Sequence, residues 1–340
     1  KPKVKGEAAK TDGAPLIGNS FWSGDRSLHV RTDSMTPSLE NVMGIWLALM
    51  SAAVFGLVTV ADKRLISVNM PNLSSFYLII VITLYGHTGL AIVVSGIPDQ
   101  LPLAHLLLAG IAGLFWGASL WTMFIGYRFE EASRASAVIH TFPVFVALLA
   151  MPFLGEILSI AQWFAILIVV VGAFSISLRS SAVNLFTINK AFPILIAASI
   201  FTALAHVSGK YALEKIEVEF VYAVRNFCMA TFLAMFSRPK DTVTVIHALK
   251  NPQTLALVII GEMILAPIGI FLNVAASSLG AISIVSTVTA SRPFFVFLYG
   301  SILSVGPFRL LEESIDIRTL SIKAVSIALI IGGIALLSFG

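Results

Sequence analysis

Ten continuous apolar runs, each close to the thickness of a bilayer's hydrocarbon, set the limits on what this chain can become. A helix rises 1.5 Å per residue, so about 20 residues cross roughly 30 Å of hydrocarbon. Runs of that kind occupy residues 42–65, 74–94, 103–127, 133–154, 160–178, 191–213, 220–236, 254–277, 281–305 and 320–339. Membrane barrel strands would read instead as alternating stretches of about ten residues. Charged residues make up 12% of the chain and the mean hydropathy is +0.93. A soluble domain carries about 25% charged residues, so this chain lacks the material for a water-facing surface. The expectation is an all-α integral membrane protein of ten transmembrane helices, in contact with lipid along most of its length.

The remaining composition narrows the partners. A formal net charge of +4, with no cluster of basic and aromatic residues, gives no reason to expect nucleic acid. Cys228 is the single cysteine, which excludes an intrachain disulfide. Residues 1–41 are polar and contain no apolar core of a cleavable signal peptide, so they read as a disordered N-terminal tail or as sequence that is not native to the protein.

Part of the apolar sequence is written twice. At an offset of 150, Ser136 falls on Ser286, Val138 on Val288, Pro143 on Pro293, Phe145 on Phe295, Val146 on Val296 and Leu148 on Leu298. At an offset of 147, Val60 falls on Val207 and Lys63 on Lys210. A repeat this long, inside hydrophobic segments, reads as a duplicated membrane unit. The expected units are residues 42–179 and 191–340. Because five is odd, two five-helix units joined by a short link must enter the bilayer in opposite directions, which makes an inverted repeat. Lysines and arginines concentrate in the links after odd-numbered spans; by the positive-inside rule this puts both termini outside the cytoplasm.

The run R-A-S-A-V at 134–138, then P-V-F-V-A-L-L at 143–149, Gly155-Glu156, Gln162 and Gly172 resembles the repeat unit of the drug/metabolite transporter superfamily. More narrowly it resembles the EamA-type branch, with ten helices in two such units. Lys63 and Lys210 match a lysine found late in the first helix of a unit, and Arg225 matches an arginine early in the second. Leu78 stands at the corresponding place in the first half, and Glu313 and Asp316 compete for the acidic position matched by Glu156. The cytoplasmic termini usual in such proteins disagree with the charge count. The resemblance implies a multi-pass secondary transporter of small molecules in the plasma (inner) membrane, working by alternating access and needing no cofactor.

Ionisable side chains deep in a membrane cost at least about 2.5–3.5 kcal/mol on insertion scales, so each asks for a reason. Glu262 stands within VIIGEMILAPIG and suits a substrate amine or a coupling proton, or a structural pairing with a cation. Arg225 suits an anionic group through bidentate hydrogen bonds, or a structural lock on Glu262. Arg292 breaks the match between the halves, where the first has Phe142, and so marks a place for substrate chemistry. Lys63 and Lys210, with Asp62 beside the first, either line the two mouths of a cavity or anchor helix ends at the interface. His140 and His206 titrate near neutral pH and are candidate proton relays, or packing residues. Pro143 and Pro293 lie inside apolar runs and are expected to kink their helices and serve as hinges. Gly113 and Gly117 are spaced for close helix packing.

No phosphate-binding loop, paired-cysteine or His-Glu-x-x-His metal spacing, or nucleophile elbow occurs in the sequence, so an enzyme is not expected and no metal site is assigned. The leading expectation is export of small metabolites or amino-acid-like compounds through a central, mostly apolar cavity, with the proton as a candidate coupling ion. Exchange of anionic metabolites competes with it, favoured if Arg225, Arg292 and the lysines converge. A non-transporting membrane scaffold or enzyme subunit is the alternative from a different class, favoured by a sealed bundle.

Overall fold

The computed structural model describes residues 39–129, 138–177, 191–238, 240–305 and 317–339. Residues 1–38 of the N-terminal tail, Arg134, Ser136, Arg179 and the polar stretch containing Glu313 and Asp316 lie outside the described residues, while Leu39, Glu40 and Asn41, expected in the tail, begin the first helix.

Every regular element among the described residues is a helix. They are α1 (Leu39–Arg64), which runs on into a π-helical turn (Leu65–Asn69), α2 (Leu73–Ser95), α3 (Leu103–Phe129), α4 (Phe142–Leu154), α5 (Ile160–Ser177), α6 (Ala191–Ala212), α7 (Val218–Ala234), α8 (Asp241–Ala248), α9 (Pro252–Leu279), α10 (Ile282–Thr289), α11 (Arg292–Val305) and α12 (Ile317–Phe339). Among the described residues, six stretches are long and apolar enough to cross a membrane: α1, α2, 103–126 of α3, 192–212 of α6, α9, and 282–300 across α10 and α11. Shorter apolar segments lie in α4, α5 and α12.

Large apolar side chains lie on the outside as well as in the core, and many polar ones are buried. Trp46, Val93, Phe153, Phe164 and Met235 are exposed, while Ser51, Thr83, Ser119, Thr202, Arg225, Asn226, Glu262 and Asn273 are buried. A chain in lipid can leave apolar side chains outside, and has every reason to hide groups that need hydrogen bonds. Serines and threonines accordingly join helices. Ser119 meets Thr202 at 2.6 Å between α3 and α6, and Ser51 donates to the Gly269 carbonyl at 2.9 Å between α1 and α9. Gly113 and Gly117 do pack closely: a Cβ on Gly113 would collide with the Arg225 carbonyl oxygen, and one on Gly117 with Phe232.

The principal helix contacts are α1 with α9, α10 and α11, α3 with α6 and α7, α2 with α7, α4 with α6 and α10, and α5 with α12.

The two prolines do not kink continuous helices. The chain breaks before each, and Pro143 and Pro293 are the second residues of α4 and α11. A missing N–H costs nothing in a first turn, where no intrahelical acceptor exists. The breaks are bonded alike. Thr141 N donates to Val138 O and Val144 N to Thr141 O; 150 residues on, Ser291 N donates to Val288 O and Phe294 N to Ser291 O. A second irregularity interrupts α9, where Val258–Leu265 winds as a π-helix.

Candidate functional site

α9 carries one acidic residue, Glu262, 4% exposed inside the π-helical stretch. π-Turns within helices recur at functional sites. Gly261 faces α1 so closely that a Cβ there would sit 3.0 Å from the Cβ of Ala61. That approach brings the next residue of each helix together: Asp62 and Glu262 each keep a buried carboxyl oxygen without a hydrogen-bond partner, and each acts electrostatically on the other. Arg292, at the start of α11, is the cation that acts on Asp62. Its guanidinium lies over the Phe55 ring of α1, 4.3 Å from the centroid.

A second group gathers around His206 on α6. Its ring stacks on Phe142 with centroids 5.4 Å apart and planes at 1°, and meets the Trp116 indole at 5.3 Å. Arg225, reaching in from α7, holds its guanidinium over the same indole at 4.7 Å. Cation–π contact of this kind stabilises by about 2 kcal/mol when desolvated, far less than burial of a charge costs. Arg225 is 6% exposed, its Nε has no hydrogen-bond partner, and the one side chain acting favourably on its charge is Tyr222, not a carboxylate. Asn226, on the same helix, is fully buried with neither end of its amide bonded. The arginines converge: both Arg225 and Arg292 act electrostatically on His206.

His206, Lys210, Val221, Arg225, Val274 and Ser277 surround a void of about 10 Å³. One water needs about 10–15 Å³, so this conformation has no room for a solute where a central cavity was expected. A roomier hollow of about 470 Å³ lies elsewhere, between Asn69 and the 247–254 segment. None of the sequence-predicted site residues lines it.

Lys210, on the wall of the void, is held by helix-end carbonyls. Its Nζ donates to the carbonyls of Ser277 at 2.7 Å and Gly280 at 2.9 Å, at the C-terminal end of α9. Glu156 does the reverse job one residue pair later. Gly155 closes α4 with φ 67°, in the left-handed region that favours glycine. Glu156 then accepts from Ile282 N at 2.6 Å, Ser283 N at 3.2 Å and Ser283 Oγ at 2.6 Å. A carboxylate on the first amides of α10 and an ammonium on the last carbonyls of α9 both complement the helix dipoles.

Two of the sequence-predicted candidates remain. Lys63 ends α1 with its side chain exposed. His140 is buried at the break before α4, 6.4 Å from Phe142. The sequence reading singled out Glu262 and passed over Asp62 as its partner. The signal was present, since Asp62 stands inside the first long apolar helix, but the neighbouring Lys63 and Arg64 made it look like part of a polar end.

Residues 42–178 match the EamA-like transporter family. No curated protein matches the sequence. A solved structure, "Crystal structure of protein", superposes with a TM-score of 0.63 at 17% identity, covering 86% of this chain and 94% of that one. At that identity the likeness concerns the fold.

Proposed function

We propose that this chain, whose first half carries the EamA-like match, is a secondary transporter that moves a small anionic metabolite by alternating access between two inverted five-helix units. The pattern of helix contacts supports the two units. The first span packs on the eighth and ninth (α9, then α10 and α11), and the sixth packs on the third and fourth (α3 and α4). Exchanging the halves turns one set into the other, while second meets seventh and fifth meets tenth. The bonding shared by the two helix breaks, 150 residues apart, supports the same duplication.

Arg225 carries the substrate reading. A buried guanidinium without a carboxylate is expensive to keep, and a bound carboxylate or phosphate supplies what it lacks. Arg292, whose charge also reaches His206, adds a second positive charge near the same ring, which favours an anion over the amino-acid-like efflux substrates expected first. The void of about 10 Å³ suits either a scaffold or the occluded stage of a transporter. An unsatisfied charge at the middle of the seam is a burden to a scaffold and a requirement for the transporter. Substrate entry then needs the halves to part around the broken segments at 140–141 and 290–291.

The test is counterflow in proteoliposomes against a panel of radiolabelled carboxylates, phosphate and neutral amino acids. The reading predicts exchange of one or more anions, lost in Arg225→Met. Exchange confined to neutral or cationic compounds, or anion exchange untouched by Arg225→Met, refutes it.

A further inference from the structure

We infer that the hollow between Asn69 and the 247–254 segment binds the headgroup of an anionic phospholipid, whose phosphate is held by Lys250 and His247. The site is separate from the Arg225 void and independent of the anion reading above. α1 has 26 residues, a length of about 39 Å against roughly 30 Å of hydrocarbon. Asn69 ends the π-helical turn that continues α1, and Asn251 caps the start of α9, another apolar span. The hollow therefore lies where two spans leave the hydrocarbon, at the level of lipid headgroups. Its volume of about 470 Å³ falls within the roughly 300–1,000 Å³ of small-ligand pockets.

Asn69, His247, Lys250, Asn251, Gln253 and Thr254 supply hydrogen-bonding side chains to its lining, and no lining residue is acidic. His247 and Lys250 stand one turn apart at the end of α8, with the Lys250 amide donating to the His247 carbonyl at 3.2 Å. Both are exposed, as a phosphate at the bilayer surface requires. The backbone adds little: Pro252 has no N–H, and Asn251 Oδ1 already accepts from Gln253 N at 2.9 Å. Side chains therefore hold the anion. Thr254 is the buried member of the lining, and Asn69 Nδ2 donates to its hydroxyl oxygen at 2.7 Å. Asn69 Oδ1 is buried with no partner, an acceptor that suits a headgroup hydroxyl such as those of glycerol.

The surroundings favour a lipid as the source of that phosphate. α8 leaves Val243 74% and Ile246 57% exposed, and Val68, at the hollow itself, is 61% exposed. Val243 and Ile246 stand three residues apart, on one face of the helix. Apolar side chains beside a polar recess give acyl chains a surface, as a short interfacial helix does. The same connection carries Arg238, Lys240 and Lys250, all exposed, against one acid, Asp241, which is 5% exposed. Basic pockets between transmembrane helices bind anionic headgroups by this chemistry. Because the walls come from the end of α1 and from the α8–α9 connection, a bound headgroup joins segments far apart in sequence and stabilises the folded chain.

The test titrates the full chain in detergent with phosphatidylglycerol or phosphatidylcholine, read by native mass spectrometry and by thermal unfolding. Phosphatidylglycerol is expected to be retained in preference to phosphatidylcholine and to raise the unfolding temperature. Lys250→Gln is expected to weaken its binding about fivefold, the effect of one cation at an anionic lipid surface, and Lys250→Arg to restore it. Lys215→Gln, at an exposed lysine outside the hollow, should leave binding unchanged. Without lipid, Lys250→Gln should unfold at the wild-type temperature, which separates lost binding from a lost fold. Equal retention of the two lipids by wild type, unchanged binding in Lys250→Gln, or equal losses in Lys250→Gln and Lys215→Gln overturns the inference. Inorganic phosphate and glycerol 1-phosphate form the soluble arm. If either displaces phosphatidylglycerol at a comparable concentration, the hollow belongs to a free phosphate compound and the lipid assignment falls.

Discussion

The Lys210 ammonium donates to the Ser277 carbonyl at 2.7 Å, so a cation that the sequence suggested for a cavity mouth instead holds the end of α9. Ser277 belongs to the last turn of that helix, where carbonyls have no intrahelical donor. In a bilayer, water is scarce and an unsatisfied carbonyl costs more than at a protein surface. The lysine supplies the missing donor from another helix.

Replacing Lys210 with methionine keeps the stem and removes the donors. The expected loss is about 1–3 kcal/mol, the range for a charged hydrogen bond with buried acceptors left behind. Thermal unfolding of the purified protein in detergent measures it. Lys210→Arg is expected to recover most of the loss, because its fork also reaches carbonyls; equal stability of Lys210→Met and wild type would refute the capping role.

Glu156 makes the complementary prediction. Its carboxylate serves as the N-terminal cap of α10, a role whose loss costs about 0.5–2 kcal/mol. Glu156→Ala should fall in that range and Glu156→Gln nearer to wild type. Glu156 also acts electrostatically on Lys210, and their caps lie on either side of Gly280–Ala281. The double variant should therefore lose less than the sum of the two single losses, as expected for coupled neighbours. Strict additivity in unfolding experiments would show that the caps act independently.

Much of this architecture could be read from residues alone. The long apolar runs predicted helices at α1, α2, α3, α6 and α9 because hydrocarbon thickness sets a length that sequence displays directly. The proline error has a physical origin. Pro143 and Pro293 sit in unbroken apolar text, yet a helix break needs no polar residue when hydroxyls and turn bonds absorb the freed carbonyls, as Thr141 Oγ1 does for Val138 O at 2.7 Å. The pairing of Asp62 with Glu262 was illegible for another reason. It joins residues 200 apart in sequence, and depends on a glycine approach and a change of helical pitch that composition does not encode. Arg225 and Arg292 were visible as costly charges, but their convergence on His206 depends on how three helices pack.

The position of the prolines gives a prediction opposite to that of a kink. In a first turn, Pro143→Ala or Pro293→Ala restores an N–H that needs no partner and frees the unfolded chain. A stability change of about 0.4–1 kcal/mol is expected, against about 3 kcal/mol or more for a proline acting within a helix. Unfolding midpoints of the two alanine variants distinguish these values.

Gly261 gives a graded prediction. An alanine Cβ would stand 3.0 Å from Ala61 Cβ, which a small shift of α1 can relieve. A valine adds two methyl groups in the same gap, and overpacking of that kind costs about 1–3 kcal/mol. Gly261→Val is expected to lower stability by that amount in thermal unfolding of the purified protein, and Gly261→Ala by less. Equal stability of the valine variant and wild type would show that α1 and α9 do not pack through this glycine.

Arg225 allows stability and function to be set against each other. If the guanidinium were a structural lock, its removal would destabilise the bundle as any broken buried pair does, by about 3–5 kcal/mol. The described site instead leaves Nε without a partner and gives the charge no carboxylate. Exchange for an apolar side chain of similar length, Arg225→Met, should therefore be neutral or stabilising, within about 1–4 kcal/mol by comparison with other buried charges replaced by hydrophobes. Anion counterflow should be lost at the same time. Arg225→Lys keeps a charge but not the planar fork, so it should weaken anion binding while leaving some exchange. A methionine variant that unfolds earlier than wild type, measured beside unchanged counterflow, would return Arg225 to a structural role.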